Sequence, residues 1–351
     1  VRRANVVRRA DVVRRERSHA RPPSTTVTPV AGPSDVYVYR VPLTVRFRGL
    51  TYRDGVLLRG PAGWAEFSPF WDYDVAASLP WWRAAREAAD VGWPAPVRDA
   101  VPVNVTVPAV DAAAAYAIVA GSGCGTAKVK VAEPGQTVDD EIARLEAVRD
   151  AIGPGGRIRI DANGGWDADT AVVRIRWLDR AAGGLEYVEQ PCATVPELAA
   201  VRRAVRVPIA ADESVRLARD PMAVVRAGAA DVVVLKVAPL GGVRACLELA
   251  ERVGLPVVVS SALETSVGLA AGLALAAALP ELPYACGLAT ARLLAADVVA
   301  EPLRPVGGMI LVRRPEVDPH LLAEHAADRA LSTRWNARLA AVLAASAEVT
   351  G

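Results

Sequence analysis

The chain has 351 residues, 52% of them hydrophobic and 23% charged, with a formal net charge of +2. That composition is globular, and the length exceeds the roughly 100–200 residues of one ordinary core. No uncharged apolar run reaches the roughly 18 residues of a bilayer span, the nearest being the short Ala- and Gly-rich stretch 265–280, so no membrane span is expected.

Residues 1–18 form a degenerate hexamer repeat (Val1-Arg-Arg-Ala-Asn-Val6, Val7-Arg-Arg-Ala-Asp-Val12, Val13-Arg-Arg-Glu-Arg-Ser18), and 1–22 hold eight Arg against Asp11 and Glu16. A Pro/Ser/Thr-rich stretch follows, and 1–34 read as a disordered arm and linker. The rest of the chain is mildly acidic, which argues against a nucleic-acid-binding body. Strand-like stretches at 36–45, 56–59 and 64–67, punctuated by Gly49, Gly55, Gly60 and Gly63, predict an antiparallel meander. A helix is predicted around 81–89, before Pro94 and Pro96. Together 35–100 read as a small α+β domain, completed by part of 300–331.

From residue 101 to 300 the texture changes to short apolar strands separated by Ala/Arg/Leu helices. The candidate strands are 102–107, 127–131, 157–161, 185–189, 208–212, 232–236, 257–261 and 284–287. Eight regular βα units predict a (β/α)8-type barrel. The alternative is a doubly wound open sheet, which normally has fewer strands and a Gly-rich turn after the first. The glycines at 121–125 precede a strand instead, and no P-loop is present. Residues 332–351 read as a C-terminal tail. The cysteines (Cys124, Cys192, Cys246, Cys286) have neither zinc-site nor redox spacing, and no secretory signal is visible. Buried thiols in a reducing cytoplasm are therefore expected.

Of 41 basic residues only three are lysines, Lys128, Lys130 and Lys236, and all fall toward the ends of two predicted strands. Arg serves wherever a cation suffices, whereas a desolvated Lys can give up its proton and act as a base. Barrels carry catalytic groups at the C-terminal strand ends. Those ends also bear Asp161, Glu189 and Asp212, on three consecutive strands. Such an arc of carboxylates calls for a cation, and hard oxygen ligands suit Mg²⁺, with Mn²⁺ a candidate substitute. Lys128 and Lys130 share the inward face, and Lys236 approaches from the opposite wall. A metal flanked by amines suits proton abstraction next to a carboxylate, through a metal-stabilised enediolate. The partner expected is a small anionic carboxylate, with no nucleic acid. Arg159, on the inward face of Asp161, is a candidate substrate contact or a core ion pair. Asn163 and Glu213 are candidates for orienting the ligands, and Ser260 and Ser261 complete the supporting set. The only histidines are His19, His320 and His325, outside the strands, which excludes a Ser-His-Asp hydrolase, a His-rich zinc site and a His base in the barrel.

Lys128-Val-Lys130, Asp161-Ala-Asn163, Glu189-Gln-Pro191, Ala211-Asp212-Glu213-Ser214 and Leu235-Lys236-Val237, in this order and spacing, resemble the enolase superfamily in its muconate-cycloisomerase-like branch. Gly63-Trp64-Ala65-Glu66-Phe67-Ser68-Pro69 looks like that family's capping-domain strand. The stretches 237–242, 260–268 and 285–290 are most similar to the o-succinylbenzoate synthase family of the actinobacterial type. The resemblance implies syn-dehydration of 2-succinyl-6-hydroxy-2,4-cyclohexadiene-1-carboxylate to o-succinylbenzoate, in menaquinone biosynthesis. It implies that Lys130 abstracts the proton and then protonates the leaving hydroxyl. By the same analogy Lys236 stabilises the anionic intermediate, and Asp161, Glu189 and Asp212 hold Mg²⁺. The capping domain would close over the mouth through the loop near 48–54.

The same lysines would serve an N-acylamino acid racemase or another isomerase of this branch, since bases on both faces are what 1,1-proton transfer needs. A dipeptide epimerase is disfavoured, because Gly287-Leu-Ala-Thr290 has no acid to bind an ammonium group. The remote alternative is a nucleic-acid- or surface-associated protein acting through the basic arm. Oligomeric state is not legible.

Overall fold

The computed structural model describes residues 36–218 and 220–350, so the arm expected at 1–34 lies outside the described residues. Strands β1 (Val36–Phe47), β2 (Leu50–Gly60) and β3 (Gly63–Phe67) form an antiparallel meander. Alternation divides their side chains between two faces. Val56, Leu58, Ala65 and Phe67 pack with Trp81 and Trp82 of the helix Val75–Arg86. Leu57, Tyr39 and Val41 pack on the other side with Val267, Leu294 and Val298. The helix starts well before the predicted 81–89 because Asp74 caps it, accepting a 2.7 Å bond from Ala77 N.

The predicted first strand of the larger sheet, 102–107, is in fact two. β4 (Ala100–Pro102) pairs with the later β12 (Met309–Leu311), and β5 (Val105–Val107) joins the parallel sheet. Between them Val103 N donates to Gly308 O and Asn104 N to Cys286 O, so the backbone changes partners within two residues. The parallel sheet continues through β6 (Thr126–Lys130), β7 (Arg157–Asp161), β8 (Tyr187–Glu189), β9 (Ile209–Ala211), β10 (Val232–Leu235) and β11 (Val257–Val259), seven strands in chain order. The eighth predicted strand, 284–287, makes one bridge to each end of this sheet, Val103 to Cys286 and Ser260 to Gly287. A Cβ on Gly287 would lie 2.6 Å from Ser260 Oγ, so a larger residue there would push the Ser260 hydroxyl aside.

One set of strand side chains, including Ile160, Val188, Ile209, Ala211, Val233 and Val259, packs with the surrounding helices. The alternate set, Tyr187, Ala210, Val232, Val234 and Val258, forms a separate small cluster inside the curl. Continuing that inner set by two residues gives Glu189, Asp212, Lys236 and Ser260 at the strand ends.

Residues 325–327 run along β1, with Arg40 N donating to His325 O and Ala327 N to Val38 O. The stretch 332–351 belongs largely to a helix, Arg329–Thr350, whose Trp335 is fully buried beside Phe67. Among the described residues no helix is long and apolar enough to cross a membrane.

Candidate active site

The strand ends open into a cavity of about 880 Å³. Lys128, Lys130, Asp161, Asn163, Glu213, Lys236, Ser260 and Ser261 line it from the parallel sheet and its loops. Phe47, Arg48, Phe70 and Tyr73 line it from the small domain. The register sets the layout: Lys130 is opposite Asp161, and Asp161 is opposite Glu189.

The ion pairs follow that register. Lys128 Nζ bridges Asp161 Oδ2 (3.0 Å) and Glu189 Oε1 (2.8 Å). Lys130 Nζ donates to Asp161 Oδ2 (2.7 Å) and Asn163 Oδ1 (2.5 Å). Lys236 Nζ reaches Asp212 Oδ2 (2.6 Å), whose other oxygen accepts from Arg216 Nε at 2.8 Å. Burial opposes charge on Lys128, yet the Asp161 and Glu189 carboxylates outweigh it and hold the ammonium well above its ordinary pKa. Burial likewise works against ionised Asp161, but Lys128 and Lys130 keep its carboxyl far below the usual range. Asp212 is lowered against its own burial, by Lys236 and Arg216. Glu189 behaves differently. Burial, with Asp161 beside it, pushes its carboxyl up to about 7, because the one ammonium it touches is shared.

This donor set fits a hard divalent cation: three buried carboxylates at the ends of three neighbouring strands, one of them under-neutralised. Beside them Glu213 Oε2 is buried with no hydrogen-bond partner. In the present rotamers the carboxylates are turned onto the ammonium groups, and no set of three ligating side chains among the described residues converges on one point.

Asn163 N donates to Asp161 Oδ1 (3.1 Å), and Glu213 reaches the arc indirectly, through Asn163 Nδ2 (3.2 Å). Ser261 Oγ lies 2.7 Å from Thr290 Oγ1. Arg159 is not brought to the cavity. Its fully buried guanidinium pairs with Glu186 (2.5 Å) and donates to Ala285 O (2.7 Å) and Tyr187 OH (3.2 Å), two residues deeper in the sheet. Of the candidate readings, the core ion pair is therefore the one observed. Neither described histidine lines the cavity.

Sequence reasoning missed Arg216. It also donates to Glu213 Oε1 and to Tyr73 OH, both at 2.6 Å, and so ties the arc to the small domain. The available signal was its place four residues after Asp212, on the short helix Glu213–Arg216.

Comparison with known proteins agrees with this architecture. Residues 110–316 match the enolase C-terminal domain-like family, and 38–89 match the enolase N-terminal domain-like family. The chain is 66% identical over 311 residues to o-succinylbenzoate synthase of Thermobifida fusca, covering 89% of this chain and 96% of that one. It is 55% identical over 285 residues to o-succinylbenzoate synthase of Mycobacterium tuberculosis strain H37Rv, covering 81% and 86%. In fold it is similar to muconate lactonizing enzyme from Pseudomonas fluorescens (TM-score 0.71, 22% identity, 84% and 98% covered). A second fold relative is the L-Ala-D/L-Glu epimerase from Bacillus subtilis (TM-score 0.69, 24% identity, 81% and 96% covered). The muconate-type architecture, the strand-end arc of lysines and carboxylates and these identities converge: the chain belongs to the enolase superfamily, and within it to the family of the o-succinylbenzoate synthases.

Proposed function

We propose that the protein is a Mg²⁺-dependent o-succinylbenzoate synthase, a carbon–oxygen lyase that dehydrates 2-succinyl-6-hydroxy-2,4-cyclohexadiene-1-carboxylate in menaquinone biosynthesis. In this reading 101–300 form a closed (β/α)8 barrel, the bridges of 284–287 supplying its eighth strand, and 35–100 with the C-terminal segments form the cap. The observation that carries it is the placement of Lys130 and Lys236 at the ends of different strands, each within hydrogen-bond distance of a different carboxylate of one buried arc. The four cysteines are buried free thiols, which supports a reducing cytoplasm as its compartment.

Asp161, Glu189 and Asp212 would hold the ion. Bound there, Mg²⁺ would offset the negative charge that develops on the substrate carboxylate as its α-proton leaves. Lys130, oriented by Asn163, takes that proton from C1 onto its amine. It then returns a proton to the C6 hydroxyl, which departs from the same face as water while the ring becomes aromatic. One residue thus serves as base and then as acid. Lys236 remains a cation on the opposite side and stabilises the anion formed between the two steps. Lys128 is held protonated by its two carboxylates and fixes them, which leaves it no role as a base. Phe47, Phe70 and Tyr73 wall the cavity against water from the cap.

The test is an assay for o-succinylbenzoate formation beside one for N-succinylamino acid racemisation, each with and without chelator. Dehydration that is lost in chelator and restored by Mg²⁺ is expected. Racemisation without dehydration, or full dehydration in excess chelator, would overturn the reading.

A further inference from the structure

Two side chains of the cap leave their own sheet to fasten the loop that follows β11. Glu66, on β3, is 7% exposed, and its carboxylate accepts five hydrogen bonds. Tyr39 OH (2.7 Å) and Ser68 Oγ (2.6 Å) donate from the cap. Thr265 N (3.1 Å), Thr265 Oγ1 (2.5 Å) and Gly268 N (3.1 Å) donate from the start of the helix Ser266–Ala278. Backbone N–H groups at a helix start are left without intrahelical partners, and a carboxylate satisfies them well. A Cβ on Gly268 would stand 3.0 Å from Glu66 Oε2 and 2.7 Å from Glu264 Cβ, so a larger residue would force this contact apart. Arg53, on β2 and 3% exposed, donates through Nε to Leu263 O (3.0 Å) and through Nη2 to Ser68 Oγ (2.9 Å).

These contacts anchor the far end of the cavity wall Ser260–Leu263, whose near end continues directly from β11. Leu263 has a positive φ of 63°, a conformation that residues other than Gly, Asn and Asp adopt rarely. Local strain of this kind persists only where the surroundings over-determine it. Arg53 supplies that restraint at the Leu263 carbonyl, and Ser261 Oγ accepts from Leu263 N at 3.4 Å on the cavity side.

We infer that Glu66 and Arg53 are positioning residues for the reaction: from outside the cavity they fix the Ser260–Leu263 wall against which the substrate is held. Neither lines the cavity, and neither is hydrogen-bonded to Asp161, Glu189 or Asp212. The inference rests on the dehydration proposed above for its kinetic readout, but not for its structural one.

The test compares wild-type protein with Glu66→Gln, Arg53→Lys and Arg53→Met by steady-state dehydration kinetics, Mg²⁺ affinity and hydrogen–deuterium exchange. Glu66→Gln and Arg53→Met should lower kcat/KM by about 10- to 100-fold, the scale of a misplaced binding wall. Mg²⁺ affinity should stay unchanged, because β7, β8 and β9 are not disturbed. Exchange should rise in 258–268 and not in 155–215. Arg53→Lys, which keeps a cationic donor for Leu263 O, should recover part of the activity lost in Arg53→Met. Should Glu66→Gln fail to fold, the two Arg53 variants decide alone. Unchanged kcat/KM, or exchange raised uniformly across the molecule, would overturn the inference. If wild-type protein forms no o-succinylbenzoate, the proposed reaction fails instead, and exchange confined to 258–268 would still uphold the fastening of that wall.

Discussion

Lys130 and Asp161 are register partners on neighbouring parallel strands, and their side chains meet at 2.7 Å on the inner side of the sheet. Lys128 and Arg159 are the pair two residues deeper, yet Lys128 reaches up to the same Asp161 oxygen at 3.0 Å. Two ammonium groups therefore converge on one carboxylate, and the lower one also serves Glu189. These groups are almost wholly withdrawn from water, so the balance between desolvation and pairing governs them more than distance alone.

That balance makes Lys128 a structural cation. Lys128→Met keeps much of the volume but strands two buried carboxylates. Metal-free protein should lose about 3–5 kcal/mol of stability, the usual effect of removing one partner of a buried pair. Urea denaturation in chelator measures it, and a loss below about 1 kcal/mol would show that the carboxylates find other partners.

Trp335 carries the C-terminal helix. It is buried against Phe67 and Trp71, and its Nε1 donates to Asp54 Oδ1 at 2.7 Å. Trp335→Ala should cost about 3–5 kcal/mol, as large-to-small changes of buried aromatics do. Thermal and urea unfolding should both record the drop, and an unchanged midpoint would mean that this helix contributes little.

Glu264 predicts a pH dependence of stability. Burial, reinforced by the neighbouring Glu66 charge, pushes its carboxyl up to about 7. A raised folded-state pKa means that the folded protein keeps a proton which the unfolded chain has already released. The stabilisation is complete below the ordinary carboxyl pKa of about 4.3 and declines as pH rises through about 7, by on the order of 3 kcal/mol in all. Glu264→Gln, which cannot ionise, should remove that decline. Denaturation curves between these limits would refute the assignment if wild type and variant changed in parallel.

Much of the site was legible because strand alternation is so regular. Lys130, Asp161, Glu189, Asp212 and Lys236 each stand at the end of a short predicted strand, and a parallel strand with a fixed inner face can aim its last side chain only one way. Arg159 obeys the same alternation but lies two residues deeper, where its Nε is paired with Glu186 and its Nη1 donates to Tyr187 and Ala285. Sequence parity gives the face of a strand, not which neighbours will occupy the depth below it. The C-terminal helix shows a different limit. Leu331, Trp335, Leu339 and Val342 recur at helical spacing and are all buried, but the Ala-rich flanks of that stripe blur it, and the cap surface that receives it is assembled from residues far away in the chain. The split of the first predicted strand into β4 and β5 was hidden for a similar reason, since it depends on the carbonyls of Gly308 and Cys286.

The most direct measurement for the central claim is the single-turnover dehydration rate of Lys130→Arg, beside Lys236→Arg, with α-proton exchange into deuterated water followed in parallel. Arginine keeps the positive charge of Lys130 but cannot give up its proton. Acid–base help is typically worth about 10²–10⁴-fold, and a sole base more. Lys130→Arg should therefore all but abolish both dehydration and α-proton exchange while Mg²⁺ still binds. Lys236→Arg, which retains a cation opposite the base, should keep a measurable rate. Dehydration by Lys130→Arg at a rate near wild type would contradict the assignment of Lys130 as the acid and base.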